Sequence, residues 1–413
     1  MASTLITNIK QLVNVTEDGH ARRGKELRRL PCLENAFLVI EGDEIAAYGK
    51  MVDIPQRLLS SGSRFDAAGQ FVLPAWCDSH THLVYAGSRE NEFLDKITGL
   101  SYAEIAAKGG GILNSAKKLN ETSEDELFRQ AWRRLEEVRN LGTGAIEIKS
   151  GYGLCLEGEL KMLRVIRRIR EKTAMTVKAT FLGAHAFPLE YKNNHKGYID
   201  RIIYEMLPAI AGEKLADFID VFCEDGFFNP EETEIICRAG LDLGLKPKIH
   251  ANQLSASGGV QTGVKVGAIS VDHLESMDEA SITALKGSLT IGTLLPCAAF
   301  FLRMPFQPAR RLIDDGCAIA LASDYNPGSS PSGNMNFVVA LSCIQMKMLP
   351  EEAINAATLN GAFAMDVGDE LGSITIGKKA NLILTKKIPS LAYLPYSFGS
   401  NLIDKVMIRG SWQ

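Results

Sequence analysis

No charge of either sign dominates this 413-residue chain: 45 Lys and Arg stand against 49 Asp and Glu, a formal net charge of −4. The basic residues are scattered through candidate helices such as 160–170, so nothing marks a surface for nucleic acid or an anionic membrane. No apolar run reaches the roughly 18 residues that a membrane-spanning helix needs. The first stretch, MASTLITNIKQLVNV, has no charged start followed by a long apolar core, so no secretory signal is expected. Cysteine occurs at 32, 77, 155, 223, 237, 297, 317 and 343, never as a CxxC pair. Several of these lie in apolar runs, Cys223 in DVFCE and Cys317 in GCAIALA, where a small buried hydrophobe belongs. Reduced thiols and a cytoplasmic protein are the expectation.

What is present is an ordinary globular composition, 46% hydrophobic and 23% charged, long enough for a barrel of about 250 residues and a smaller domain. Both ends read as strands and turns. Residues 5–15 alternate, AFLVI and IAAYG in 36–49 flank a turn at Glu41-Gly42-Asp43, and 372–377 and 380–385 read as strands around a turn. This predicts one small composite β domain from 1–68 and 368–413, a β-sandwich. The middle, 69–367, alternates between strand and helix patterns. Strand candidates fall at 71–76, 144–148, 175–182, 218–222, 246–249, 268–271, 288–292 and 317–322. Helices are expected between them, at 123–139 with Thr122 or Ser123 as N-cap and Glu126 as capping-box partner, and at 157–170. The interval 99–120 carries extra helices and a triple glycine. The fold class that follows is α/β, a (β/α)8 TIM-like barrel.

Histidine is scarce, seven in all, and its placement is informative. His80 and His82 stand at i and i+2 just past the first strand candidate, an arrangement that points two imidazoles the same way. His185, His250 and His273 follow the third, fifth and sixth candidates, and Asp324 follows the eighth. In a (β/α)8 barrel those strand ends converge on one face. A single ion held by His80, His82, His250 and Asp324 is the simplest reading. The end of the fourth strand, Phe222-Cys223-Glu224, offers no lysine to bridge a second ion; Glu224 is a further carboxylate, as ligand or as structural acceptor, and Lys149 stands on the wrong strand for a bridge. His20 and His195 lie in polar, loop-like stretches and read as surface residues.

The ligand pattern resembles the metal-dependent amidohydrolase superfamily. Within it, HTHLVYAGSRENEF, SYAEIAAKGGGI, EIKSGYGLCLEGELKMLRVIR, TFLGAHAFPLEY, DVFCEDGFF, HANQLSASGG, DHLE and SDYNPGSSPSGNM are similar, in order and over most of 70–365, to the imidazolonepropionase family. That resemblance implies a dimeric enzyme with one zinc or iron ion, opening the ring amide of 4-imidazolone-5-propanoate to N-formimidoyl-L-glutamate in histidine degradation. It implies His80, His82, His250 and Asp324 as metal ligands. Around the substrate it implies Arg89, Tyr152, His185, Gln253 and Ser329, with Asn326 and Gly328 touching the product.

The chemistry fits these residue types. A planar guanidinium at Arg89 suits a propionate, and the glycines flanking Tyr152 in SGYG let the backbone approach a ligand. Asp324, with one oxygen expected free of the metal, is assigned proton transfer, and His273 the developing oxyanion. Gln253 stands where some members of the family have Glu. A neutral amide cannot exchange protons, so it is assigned to substrate hydrogen bonding. A nucleobase deaminase would use nearly the same ligands but would not need Arg89. A barrel that had lost catalysis would be expected to have lost ligands.

Overall fold

Residues 3–17, 19–60, 62–100 and 110–413 are described in a computed structural model. Most of SYAEIAAKGGGI and the extra helices expected there fall on 101–109 and lie outside the described residues. Eight parallel strands carry the centre: Trp76–Thr81, Thr143–Lys149, Thr176–Ala184, Phe218–Cys223, Lys246–Ala251, Ser270–His273, Ile291–Leu294 and Ile319–Leu321. They pair in sequence order, each strand almost wholly buried, as a parallel sheet covered by helices requires. The ring closes between its eighth and first members at their C-terminal ends. There Asp324 N–H donates to His80 O at 3.0 Å and His82 N–H to Tyr325 O at 2.9 Å.

The first strand corrects the sequence reading. The apolar run 71–76 is not one strand; Phe71–Pro74 belongs to the terminal sheet, where it pairs with Leu382–Thr385 and with Ser3–Val13. The chain then steps across, Ala75 N–H bonding Asn381 O and Trp76 N–H bonding Gly142 O, each at 2.9 Å. Both pieces are buried and apolar, so hydropathy shows no break between them. His80 consequently lies inside the first barrel strand, with His82 just beyond its end.

The second layer is one hydrogen-bonded sheet from both ends of the chain. It comprises Ser3–Val13, Cys32–Glu41, Glu44–Lys50, Ser63–Asp66, Phe71–Pro74, Leu382–Thr385, Ile403–Ile408 and Ser411–Trp412. Its strands therefore run past residue 68, where the small domain was expected to stop. Of 372–377, only Ile374 pairs, in a single bridge to Val15. Ile6, Ile9, Leu12, Leu38, Ile40, Leu382, Leu384 and Met407 form its own apolar core.

The helices follow their caps. Glu124–Asn140 starts where Ser123 Oγ accepts the Glu126 N–H at 3.3 Å. The Glu126 carboxylate turns to Gln130 Nε2 at 2.7 Å instead of back to its cap. The helix expected at 157–170 is Leu156–Lys172. All eight cysteines are free thiols, and among the described residues no helix is long and apolar enough to cross a membrane.

Candidate active site

The strand ends bring His80, His82, His250, His273 and Asp324 together, all buried. His82 Nε2 stands 3.4 Å from His250 Nε2. Asp324 Oδ1 lies 3.5 Å from His80 Nε2 and 3.7 Å from His82 Nε2. Two donors on one tetrahedral zinc, each about 2.1 Å from it, stand about 3.4 Å apart, so these separations fit a shared ion. His80 Nε2 is fully buried and has no protein hydrogen-bond partner, which is costly for a polar atom unless something else occupies it. Burial, then the neighbouring Lys149 for His80 and His185 for His82, holds both imidazoles well below their ordinary pKa. Neutral imidazole is the form that binds metal. His80, His273 and Asp324 form a second close group, placing His273 at the edge of the same centre.

Behind the histidines lies a layer of buried charge. Asp272 Oδ2 accepts from His80 Nδ1 at 2.7 Å, and Asp220 Oδ2 is 3.0 Å from His250 Nδ1. The first is an outer carboxylate of the kind that orients a ligating imidazole and fixes its tautomer; the second stands beside His250 Nδ1 without bonding it, while its Oδ1 accepts from the His250 backbone N–H at 3.1 Å. Lys149 Nζ reaches Glu147 Oε1 at 2.5 Å and Asp220 Oδ2 at 2.8 Å. Lys248 Nζ pairs with Glu147 Oε2 and donates to Ser79 O at 3.0 Å. Burial opposes the charge on Lys149, yet Asp220, Glu147 and Asp272 outweigh it and hold its pKa above the ordinary value. A lysine so held is an ammonium, not the neutral amine that carboxylation needs. Glu224 is taken up by hydrogen bonds elsewhere: its carboxylate accepts from Leu254 N–H at 2.8 Å, Asp225 N–H at 3.0 Å and Ser255 Oγ. It acts here as the structural acceptor.

A cavity of about 610 Å³ opens over the centre, lined by His82, His250, His273 and Asp324. The same wall carries Arg89, Tyr152, His185, Gln253, Asn326, Gly328 and Ser329. Arg89 precedes helix Glu90–Ile97 and is held by Glu92, Nε to Oε2 at 2.9 Å. His185 stacks on His82 at 5.2 Å between ring centres. Its Nδ1 lies 3.1 Å from Gly151 O; a carbonyl only accepts, so Nδ1 carries the proton and Nε2 is the acceptor. Burial, then His250 beside it, pushes His185 down to about 3. His20 and His195 lie outside the cavity; His195 packs on Phe187 and sits 3.2 Å from Glu232.

Two details add to the expectation. Asp324 Oδ2 accepts a hydrogen bond from Ser329 Oγ at 3.2 Å. The Asn326 amide is committed to its own turn. Its Nδ2 donates to Asp324 O and Ser329 Oγ, each at 2.7 Å, and its Oδ1 accepts from Gly328 and Ser329 N–H, each at 2.8 Å.

Residues 232–412 match the amidohydrolase family. Imidazolonepropionase of Flavobacterium johnsoniae is 60% identical over 408 residues, 98% of this chain and 99% of that protein. Imidazolonepropionase of Christiangramia forsetii is 55% identical, covering 98% of each. The chain belongs to the imidazolonepropionase family. An adenosine deaminase from Xanthomonas campestris with bound zinc shares the fold at TM-score 0.70 and 17% identity, over 100% of this chain and 92% of that one.

Imidazolonepropionase-family motifs quoted from the sequence also contain residues whose part shows only in three dimensions. Beneath the SGYG loop, Glu159 of helix Leu156–Lys172 is buried and its carboxylate accepts from the N–H of Gly151 at 3.0 Å, Gly153 at 2.7 Å and Leu154 at 3.0 Å. It thereby fixes the loop that presents Tyr152. Gly151 has φ +105, and a Cβ there would meet His185 Nδ1 at 2.9 Å. In DHLE, Glu275 Oε1 lies 3.5 Å from His273 Nδ1 and accepts from Gln307 Nε2 at 2.9 Å. Burial lowers the His273 pKa, but Glu275 outweighs it and the net shift is upward. The family motif carried these glutamates; no spacing rule distinguishes them from surface acids.

Proposed function

We propose that this chain hydrolyses the ring amide of 4-imidazolone-5-propanoate to N-formimidoyl-L-glutamate with one zinc or iron ion held by His80, His82, His250 and Asp324. The observation that carries the reading is a shared cavity: the candidate ligands His82, His250 and Asp324 open onto the same space as Arg89, a cation that a propionate-bearing ring needs and a nucleobase does not. Three imidazoles and a carboxylate suit either metal. Bound there, the ion supplies a water activated near neutral pH and a polarised carbonyl. A single ion is supported by Lys149 being bound to carboxylates and by Glu224 being occupied with backbone.

The chain's own groups do the rest. Arg89 holds the propionate by charge-assisted hydrogen bonds. Tyr152 and His185 flank the ring, with His185 Nε2 as acceptor, and Gln253 adds a neutral hydrogen-bonding amide. Asp324 Oδ2, steadied by Ser329, takes a proton from the attacking water and returns it to the ring nitrogen as the C–N bond breaks. His273 donates to the carbonyl oxygen as charge gathers on it. Homodimer formation and cytoplasmic residence belong to the same proposal, the first checked by sedimentation.

The purified protein, its metal content measured, is expected to consume the imidazolone and release N-formimidoyl-L-glutamate, and His80→Ala to abolish this. Turnover of guanine or cytosine with no action on the imidazolone would overturn the reading.

A further inference from the structure

Lys149 is wholly buried at the end of the second barrel strand and touches no candidate metal ligand, yet it reaches the support of two of them. Its Nζ lies 2.8 Å from Asp220 Oδ2 and 3.7 Å from Asp272 Oδ2. Those are the same two oxygens that face His250 Nδ1, at 3.0 Å, and His80 Nδ1, at 2.7 Å. One ammonium therefore sits at the fork of two carboxylate–histidine pairs arising from four different strands. We propose that Lys149 is a positioning residue for the metal centre, fixing Asp220 and Asp272 and, through them, the rings of His250 and His80.

The neighbouring Lys248 is built for a different task. Besides Glu147, its donors go to the backbone carbonyls of Ser79, at 3.0 Å, and Ala364, at 3.2 Å, and it stands 4.0 Å from Asp272. It ties the fifth strand to the backbone of the first strand and of helix Leu359–Ala364, while Lys149 is committed to side chains alone. Glu147 bridges the two lysines, with Oε1 on Lys149 and Oε2 on Lys248, and also accepts from Thr180 Oγ1 at 2.6 Å. Burying such ions costs several kcal/mol each, and apolar residues of similar volume often serve stability equally well. What an apolar residue cannot do is hold two carboxylates beside the imidazole Nδ1 atoms of His80 and His250. Loss of an outer-shell partner typically weakens metal binding by about 10- to 100-fold.

The proposal rests on the metal-centre reading above, so zinc affinity is measured on the parent, on His80→Ala and on Lys149→Met by competition with a chromogenic chelator. Folding is followed by circular-dichroism melting without metal. The parent is expected to bind zinc tightly and His80→Ala to lose it; a parent that binds none would sink the earlier reading. Lys149→Met is expected to fold and to bind about 10- to 100-fold more weakly. The double variant Lys149→Met/Asp272→Asn should lose less than the sum of the two single effects, because lysine and aspartate act in series. Should Lys149→Met fail to fold, Lys149→Met/Glu147→Gln, which removes one charge of each sign, carries the same measurement. Zinc affinity unchanged in a folded variant, fully additive losses, or failure of both variants to fold would overturn the proposal.

Discussion

Gly328 lies directly against Arg89: a Cβ built on the glycine would stand 2.3 Å from Nη1 of the guanidinium. That glycine is needed for space, because the atom it would strike is the end of a long side chain. Gly328→Ala is therefore expected to push Arg89 aside and leave the fold intact. KM for the imidazolone should rise by about 10-fold, the value of one good charge-assisted hydrogen bond, with the melting temperature close to the parent's. A KM unchanged in steady-state kinetics would show that Arg89 does not hold the propionate.

Glu159 carries three backbone N–H groups of the loop around Tyr152. Glu159→Ala leaves these donors unpaired, at about 1–3 kcal/mol for each that stays buried. The midpoint of chemical denaturation should fall accordingly, and KM should rise because Tyr152 is no longer held over the cavity. Full stability in the variant would mean that water or a shifted loop replaces the carboxylate.

Acid stability should depend on Glu352. Burial raises its pKa, but Arg310, at 2.9 Å, the Leu349 N–H, at 2.8 Å, and Arg28, at 3.1 Å, outweigh this and the net shift is downward. A carboxyl depressed in the folded state contributes stability above its unfolded pKa and loses it as pH falls through the folded value. Glu352→Gln should thus be less stable than the parent at pH 7, with the difference shrinking below about pH 4. Melting curves taken across that range check it; parallel curves would remove the residue from the acid transition.

At Gln253 a carboxyl would add a titrating group to the cavity wall. Gln253→Glu is expected to introduce an acidic limb in the pH dependence of kcat/KM that the parent lacks. The same limb in both proteins would assign it elsewhere, and the division of labour with Asp324 and His273 would need revision.

The barrel and its candidate ligands were legible because both rest on local regularities. Alternation in strands sets His80 and His82 on one side, and a β/α order puts His250 and His273 at the C-terminal ends of their strands and His185 and Asp324 just beyond theirs. The boundary at 71–76 was not legible, because the apolar run continues without a break from Phe71–Pro74 through Ala75 and Trp76, and only hydrogen-bond partners separate the two strands. The role of Asn326 was similarly hidden, since a binding amide and a turn-closing amide look alike in Asn-Pro-Gly-Ser.

The sequence by itself determined which residue types stand at the mouth of the barrel, since strand period and chain order are properties of the chain alone. Only the tertiary structure decided what stands behind them. Asp220 faces Lys248, and Asp272 faces His250, through the register of adjacent parallel strands. That register is set by packing between segments tens of residues apart. Lys149 meets both aspartates because strands two, four and six bring their side chains into one barrel interior, a convergence that no spacing along the chain expresses.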